Sequence, residues 1–179
     1  MSLLATIVNE ANSKGLRFLV IGGHAVNAHG FSRFTKDIDL LVRREDDEAW
    51  ETFLVTHGFI LHRRESAFTQ FHAPAACPWP LDLMLVNDAT FDRMWSAAQE
   101  VDWNGLPVRM PCLDHLFALK FHALKHGPRA RGYKDFLDVM SLADVNGLDV
   151  RSDRIRQLCD KYGDAPTYER LVGLASGNA

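Results

Sequence analysis

Apolar positions first recur at helical spacing. Leu3, Leu4, Ile7, Val8 and Ala11 predict an amphipathic helix reaching about Lys14, closed by Gly15. Phe18–Ile21 is an unbroken apolar run, long enough for a short buried strand. Gly22 and Gly23 end it and permit a tight turn with close approach of backbone to a ligand. His24–Ala28 fits a short helix closed by Gly30, and Asp37–Val42 then starts with acids and finishes apolar. Glu45–His57 has acids early and Trp50, Phe53 and Leu54 on one side, which predicts a surface helix ended by Gly58. Phe59–His62 and Phe68–His72 read as strands around a polar turn holding Arg63, Arg64 and Glu65. Residues 73–80, with Pro74, Pro78 and Pro80, should be irregular. Leu81–Val86 reads as a strand, and Asp88 and Asp92 as acids starting a helix over Thr90–Ala98. Asn104-Gly105, between Val101–Trp103 and Leu106–Met110, signals a hairpin.

After Pro111 the period is helical. Leu113, Leu116, Phe117, Lys120, Phe121 and Leu124 form one stripe, stopped by Gly127-Pro128. Further helices are predicted over Tyr133–Asn146, Asp153–Tyr162 and Thr167–Ala175. The plan is a mixed α/β core over residues 1–110 and a helical part over 111–179, packed as a single compact unit.

Composition narrows the class. The chain has 179 residues, 47% hydrophobic and 24% charged, which is ordinary for a soluble domain with a real core. A net charge of −3 argues against a broad nucleic-acid surface, although a local basic groove remains compatible. Cys77, Cys112 and Cys159 are odd in number and widely spaced, which suggests reduced thiols and a cytoplasmic location. No apolar run approaches the roughly 20 residues of a membrane span, and no secretory signal is visible.

The candidate chemistry centres on Asp37 and Asp39. Strand side chains alternate, so two acids separated by Ile38 face the same way. Their Cα atoms would lie about 6.6 Å apart. Two bare carboxylates at about 4 Å repel by roughly 4 kcal/mol at an effective dielectric near 20. A compensating cation would relieve this, and hard oxygens beside a glycine turn suit Mg²⁺ with substrate phosphates completing its shell. The alternative is a pair of solvated acids at a strand end. Asp82 opens another apolar strand, where a charge is costly to bury unless it is paired or metal-bound. Arg33, Thr35 and Lys36 could face phosphate, or could form an ordinary solvated loop.

The order strand, Gly-Gly, short helix, Arg and Thr, then Asp-Ile-Asp-Leu-Leu-Val resembles the core of the polymerase-beta-like nucleotidyltransferases. The likeness is nearest to small bacterial members of AbiEii and lincosamide type, with Gly-Gly-x-Ala. It is strongest over Phe18–Val42. Leu119-Lys120, Arg129 and Lys134-Asp135-Phe136-Leu137-Asp138-Val139 resemble the C-terminal segment of AbiEii-type proteins. The resemblance implies an α/β (α+β) fold, a nucleotidyltransferase-like mixed sheet core flanked by helices with a helical C-terminal part. It implies transfer of a nucleoside monophosphate from a nucleoside triphosphate to an acceptor hydroxyl, in a toxin–antitoxin or antibiotic-modifying setting.

In that scheme Asp37, Asp39 and Asp82 are the catalytic and metal-holding acids, for two Mg²⁺ ions with Mn²⁺ as the alternative. Asp82 ligates the metal or takes the acceptor's proton. Gly22, Gly23, His24, Arg33, Thr35, Lys120 and Lys134 would bind the nucleotide. Many relatives carry Gly-Ser where this chain has Gly22-Gly23, which leaves the detailed phosphate contacts less defined. The alternatives are His24 as a satisfied core or surface histidine, Lys134 as an i,i+4 partner of Asp138, and Lys120 as a lysine in a mostly apolar stripe that needs a partner or snorkels to water. His122 with His126, and Cys112 with His115, have helical metal-ligand spacing but lack a complete zinc set.

The basic residues near the proposed site are Arg33, Lys36, Arg63, Arg64, Lys120, Lys125, Arg129, Arg131 and Lys134. They are too few for a long RNA groove. A compact acceptor, small molecule or protein, is therefore expected in preference to a tRNA end, with no membrane partner and with a homodimer compatible. The rival readings are a non-catalytic binding or regulatory module of the same fold, and another two-metal enzyme such as a phosphodiesterase.

Overall fold

The computed structural model describes residues 2–77, 79–127 and 129–177, without the side chains of 129–131, 176 and 177. Pro78 and Pro128 lie outside the described residues, as do the side chains of Arg129 and Arg131. The chain divides into two units, one of residues 1–25 and 34–112 and one of residues 26–33 and 113–179.

The first unit is built on a five-stranded mixed sheet. Its strands are β1 (Leu19–Val20), β2 (Ile38–Arg43), β3 (Ile60–Arg64), β4 (Phe68–His72) and β5 (Leu81–Val86), in the order β1-β2-β5-β4-β3. Among the described residues β2 and β5 alone pair in parallel. Both carry apolar runs, Leu40–Val42 in β2 and Leu83–Val86 in β5, as a parallel pair buried within a sheet requires. Leu81, Leu83 and Leu85 are buried and alternate with half-buried Asp82, Met84 and Val86, so β5 has one sealed face and one accessible face. Helix α1 (Leu3–Ser13) buries Ala5, Ile7, Val8 and Ala11, and its first turn is closed by Ser2, whose hydroxyl accepts from the Ala5 amide. Helix α3 (Asp47–Thr56), preceded by a short 3₁₀ turn, buries Trp50, Phe53 and Leu54. The Trp50 and Phe18 rings meet edge-on at 5.7 Å.

Helix α4 (Asp88–Ser96) starts two residues earlier than its apolar pattern suggested, because the Asn87 side chain caps it by accepting from the Thr90 amide. Strands β6 (Gln99–Asp102) and β7 (Pro107–Met110) form a separate two-stranded ribbon. Its turn has Asn104 and Gly105 at φ 56° and 82°, the consecutive left-handed pair that a tight hairpin demands. Arg63 and Arg64, expected in a turn, lie in β3 instead. That strand is exposed along its length at the edge of the sheet, where charged side chains discourage further pairing. Arg64 there reaches Asp47 and Glu51 on α3.

The second unit holds α5 (Leu113–His126), α6 (Arg129–Val145), α7 (Asp153–Tyr162) and α8 (Ala165–Gly177), together with the last residues of α2 (Gly22–Ala28) and the chain up to Arg33. Leu116, Phe117, Phe121, Phe136, Val139, Leu142, Ile155 and Leu171 form its core. Helix α6 begins four residues before the predicted Tyr133. Ser152 caps α7 by accepting from the Ile155 amide. The three cysteines are free thiols, and burial pushes the Cys159 thiol up to about 11. Among the described residues, no helix is long and apolar enough to cross a membrane.

Candidate active site

The parallel pairing of β2 and β5 sets Asp39 opposite Asp82. Residues in register on neighbouring strands point to the same face, and strands lie about 4.8 Å apart. Both acids are half-buried, on the face where β5 is accessible. Gln70 on β4 pairs with Asp82 from the other side, and its Nε2–H donates to Asp82 Oδ2 at 2.8 Å. Asp37 sits just before β2, where its Oδ1 accepts from the Thr35 hydroxyl at 3.0 Å. Thr35 is itself buried, so it orients the acid from within the protein.

The glycine turn docks directly on this strand. The Ile21 amide donates to the Asp39 carbonyl at 2.9 Å. Gly22 follows at φ +60°, and a Cβ built there would lie 1.9 Å from Asp39 Oδ2. The turn thus needs glycine for two reasons, a left-handed backbone and the absence of a side chain against a carboxylate. Gly22→Ala is expected to destabilise the first unit by about 2–5 kcal/mol, from the left-handed strain plus overpacking. A denaturant melt measures this, and an unchanged midpoint would mean the turn can move away from Asp39 at little cost.

His24 packs among aromatic rings. Its Nδ1 accepts from the Trp103 indole N–H at 3.2 Å, with the ring centroids 4.8 Å apart. Trp79 lies 6.5 Å from it, edge-on. His24 is thus held in the protein immediately beyond the glycines.

In the second unit Arg33 and Lys120 have local partners. Arg33 grips Asp138 with two hydrogen bonds, Nε to Oδ1 at 2.6 Å and Nη2 to Oδ2 at 2.8 Å. Lys120, buried in the α5 stripe, reaches Asp138 at 2.6 Å and Asp135 at 2.7 Å. Burial pushes the Asp138 carboxyl up, but Arg33 and Lys120 together outweigh this and hold it below the usual carboxylate range. Lys134 is exposed, and Asp138 is turned to Arg33 and Lys120 rather than to an i,i+4 pair with it. The His122 and His126 rings lie 4.6 Å apart on α5. Burial first, then His126 and Lys125, keeps His122 below the ordinary imidazole range.

Sequence reading missed Gln70, the partner of Asp82, and Asp138 as the hub of the charge network. Gln70 carries no local signal, because its importance comes from cross-strand register. Asp138 had one, an acid between Phe136 and Val139 where the helix period calls for an apolar residue.

Asp37, Asp39 and Asp82 supply hard carboxylate oxygens, the donor type that Mg²⁺ prefers. A carboxylate accepts several hydrogen bonds, so the bonds from Thr35 and Gln70 do not exhaust Asp37 and Asp82. Among the described residues no three His, Cys, Asp or Glu side chains are already gathered as a metal cluster. The donor chemistry and the side-chain-free glycine turn against Asp39 nevertheless fit a divalent ion with a phosphate ligand.

Comparison with solved structures places the fold. The complex of ANT(2")-Ia with adenylyl-2"-tobramycin is 16% identical, is covered over 89% of this chain and 94% of that one, and superposes with a TM-score of 0.66. Lincomycin-bound LnuA, described as a lincosamide antibiotic adenylyltransferase, is 16% identical over 80% of this chain and 96% of its own, with a TM-score of 0.57. An antigenic nucleotidyltransferase-like protein from Paracoccidioides brasiliensis is 14% identical over 88% and 84%, with a TM-score of 0.54. At such identities the likeness is one of fold. Curated protein sequences give no match. A family profile described as "Uncharacterised nucleotidyltransferase" matches residues 2–176, nearly the whole chain. The chain therefore belongs to that nucleotidyltransferase family, and is an enzyme of nucleotidyl transfer.

Proposed function

We propose that the chain moves a nucleoside monophosphate from a nucleoside triphosphate to the hydroxyl of a compact acceptor, with Mg²⁺ held by Asp37, Asp39 and Asp82. The observation that carries this reading is the register of Asp39 with Asp82 beside a glycine turn that has no room for a Cβ. Bound Mg²⁺ would supply charge neutralisation for the triphosphate and the leaving pyrophosphate. The chain's own groups do the rest. Gly22 and Gly23 leave the backbone open for amide contacts to phosphate oxygens. Asp82, fixed by Gln70, accepts the proton of the acceptor hydroxyl as its oxygen bonds to the α-phosphorus and the bond to the β-phosphate breaks. Thr35 keeps Asp37 oriented toward the same strand end.

Arg33 and Lys120 have a different role in this reading. Their charges are met by Asp138, so they order the second unit.

The compact acceptor is supported by charge. The chain is net −3, and Arg33, Arg63, Arg64 and Lys120 are all ion-paired within the protein. Two similar folds are described with small acceptors, the antibiotic-resistance factor ANT(2")-Ia in complex with adenylyl-2"-tobramycin and the lincosamide antibiotic adenylyltransferase LnuA bound to lincomycin. The test is pyrophosphate release from each of the common ribonucleoside triphosphates with Mg²⁺, followed by transfer of labelled nucleotide to small molecules, protein and total tRNA. Labelling of small molecules or protein is the expected result. Efficient labelling of tRNA 3′ ends at physiological salt would overturn the acceptor class and leave the reaction type standing. Phosphodiester cleavage without triphosphate consumption would overturn the reaction type.

A further inference from the structure

We propose that the indole of Trp79 is the platform on which the base of the nucleoside triphosphate stacks. This rests on the nucleotidyl-transfer reading of the acids.

Residues 73–80 connect β4 to β5, which are antiparallel with Phe71 opposite Leu81. The loop therefore leaves the sheet at the end that carries Asp82, the second residue of β5, and Asp39 in register with it. Trp79 stands three residues before Asp82, within roughly 10 Å along the backbone. The Cys77 thiol donates to the Trp79 carbonyl at 3.4 Å and ties the loop back on itself.

On its other side Trp79 meets the glycine turn. Its ring centroid lies 6.5 Å from that of His24 at an interplanar angle of 79°. His24 follows Gly22 and Gly23 directly and is anchored by the Trp103 indole. The two tryptophans differ in what they have left to offer. Trp103 is buried at 6% exposure, with its N–H spent on His24. Trp79 is half-buried, so part of its side chain remains accessible, and its ring meets His24 edge-on.

A large aromatic side chain thus sits in the first unit beside His24, the residue after the glycines that would take phosphate, and three residues before Asp82 in the chain. A nucleoside attached to the reacting α-phosphorus brings its base to the rim of the acid site. Every base offers a π-face, so such a platform tolerates all four, and greater overlap favours purines over pyrimidines.

The experiment is titration of the full chain, with Mg²⁺ present, by ATP and separately by tripolyphosphate, which lacks a base. Wild type, Trp79→Ala and Trp79→Phe are compared. Trp79→Ala is expected to weaken ATP binding by about 5- to 150-fold, the range for losing one base–aromatic stack. Its tripolyphosphate affinity should match wild type, and Trp79→Phe should recover most of the ATP affinity. Equal ATP affinity in Trp79→Ala and wild type overturns the inference while the nucleotidyl-transfer reading stands. Equal weakening toward both ligands also overturns it, because Trp79 would then only shape the glycine turn. A rise in acceptor KM with ATP affinity unchanged would move Trp79 to the acceptor. Wild-type protein that binds neither ligand overturns the underlying reading and the platform with it.

Discussion

Asp39→Asn is expected to lower nucleotidyl transfer by at least about 10³-fold, roughly 4 kcal/mol of barrier, and to leave the fold intact. The substitution keeps the volume of a half-buried side chain in a strand whose apolar neighbours Ile38, Leu40, Leu41 and Val42 are all buried. Stability should therefore change little. The charge, however, is lost at the one acid that both pairs in register with Asp82 and lies against Gly22. An amide nitrogen directed at the glycine turn would present a donor where an anion acceptor had been. Steady-state pyrophosphate release, read beside a thermal melt, checks both halves. A variant that melts like wild type and still turns over at a tenth of the parental rate or faster would place the reaction away from Asp39.

Asp138→Asn should be the most destabilising of the charge-removing substitutions in the second unit. The Asp138 side chain is 1% exposed and meets Arg33 at 14% and Lys120 at 9%. Removing one member of a buried pair leaves the other charge without compensation, typically at about 3–5 kcal/mol. Lys120 retains Asp135, whereas Arg33 keeps at most one of its two hydrogen bonds, to the amide oxygen, and loses the charge that met its own. The midpoint of thermal unfolding should fall on the order of 10 °C for a chain of this size.

The same network fixes a pH dependence. Burial raises the Asp138 pKa, but Arg33 and Lys120 depress it further than burial raises it, so the folded value lies below the unfolded one. A depressed carboxylate contributes stability that is present above the unfolded pKa, about 3.9, and is lost as pH falls through the folded value. The stability gap between wild type and Asp138→Asn should therefore be constant from weakly acidic to neutral pH and should narrow below about pH 4. A gap that instead widened on acidification would contradict a buried, ionised Asp138.

The sequence by itself determined the elements and the acids. Periodicity placed α1 and α5, because one apolar stripe on each must face a core. The Asn104-Gly105 turn was legible because two consecutive left-handed residues admit few other sequences. Asp37 and Asp39 stood out because acids at the head of an apolar strand are costly without a purpose. Other features depended on which strands and helices become neighbours, a long-range outcome that no local window carries. Asp82 was a candidate from its own strand, but its partnership with Asp39 exists only because β5 lies parallel to β2 in a particular register. Gln70 joined them through a strand pairing that leaves no mark in its surroundings along the chain. The bulged pairing with β4 drew Arg63 and Arg64 into β3, although their polarity read as a turn. Lys120 was legible as a cation that needs a partner, whereas Arg33 read as a phosphate ligand or a loop residue, and tertiary structure decided that Asp138 would answer both. Burial makes that choice binding, since a charge removed from water must be matched by whichever opposite charge the packing brings within reach.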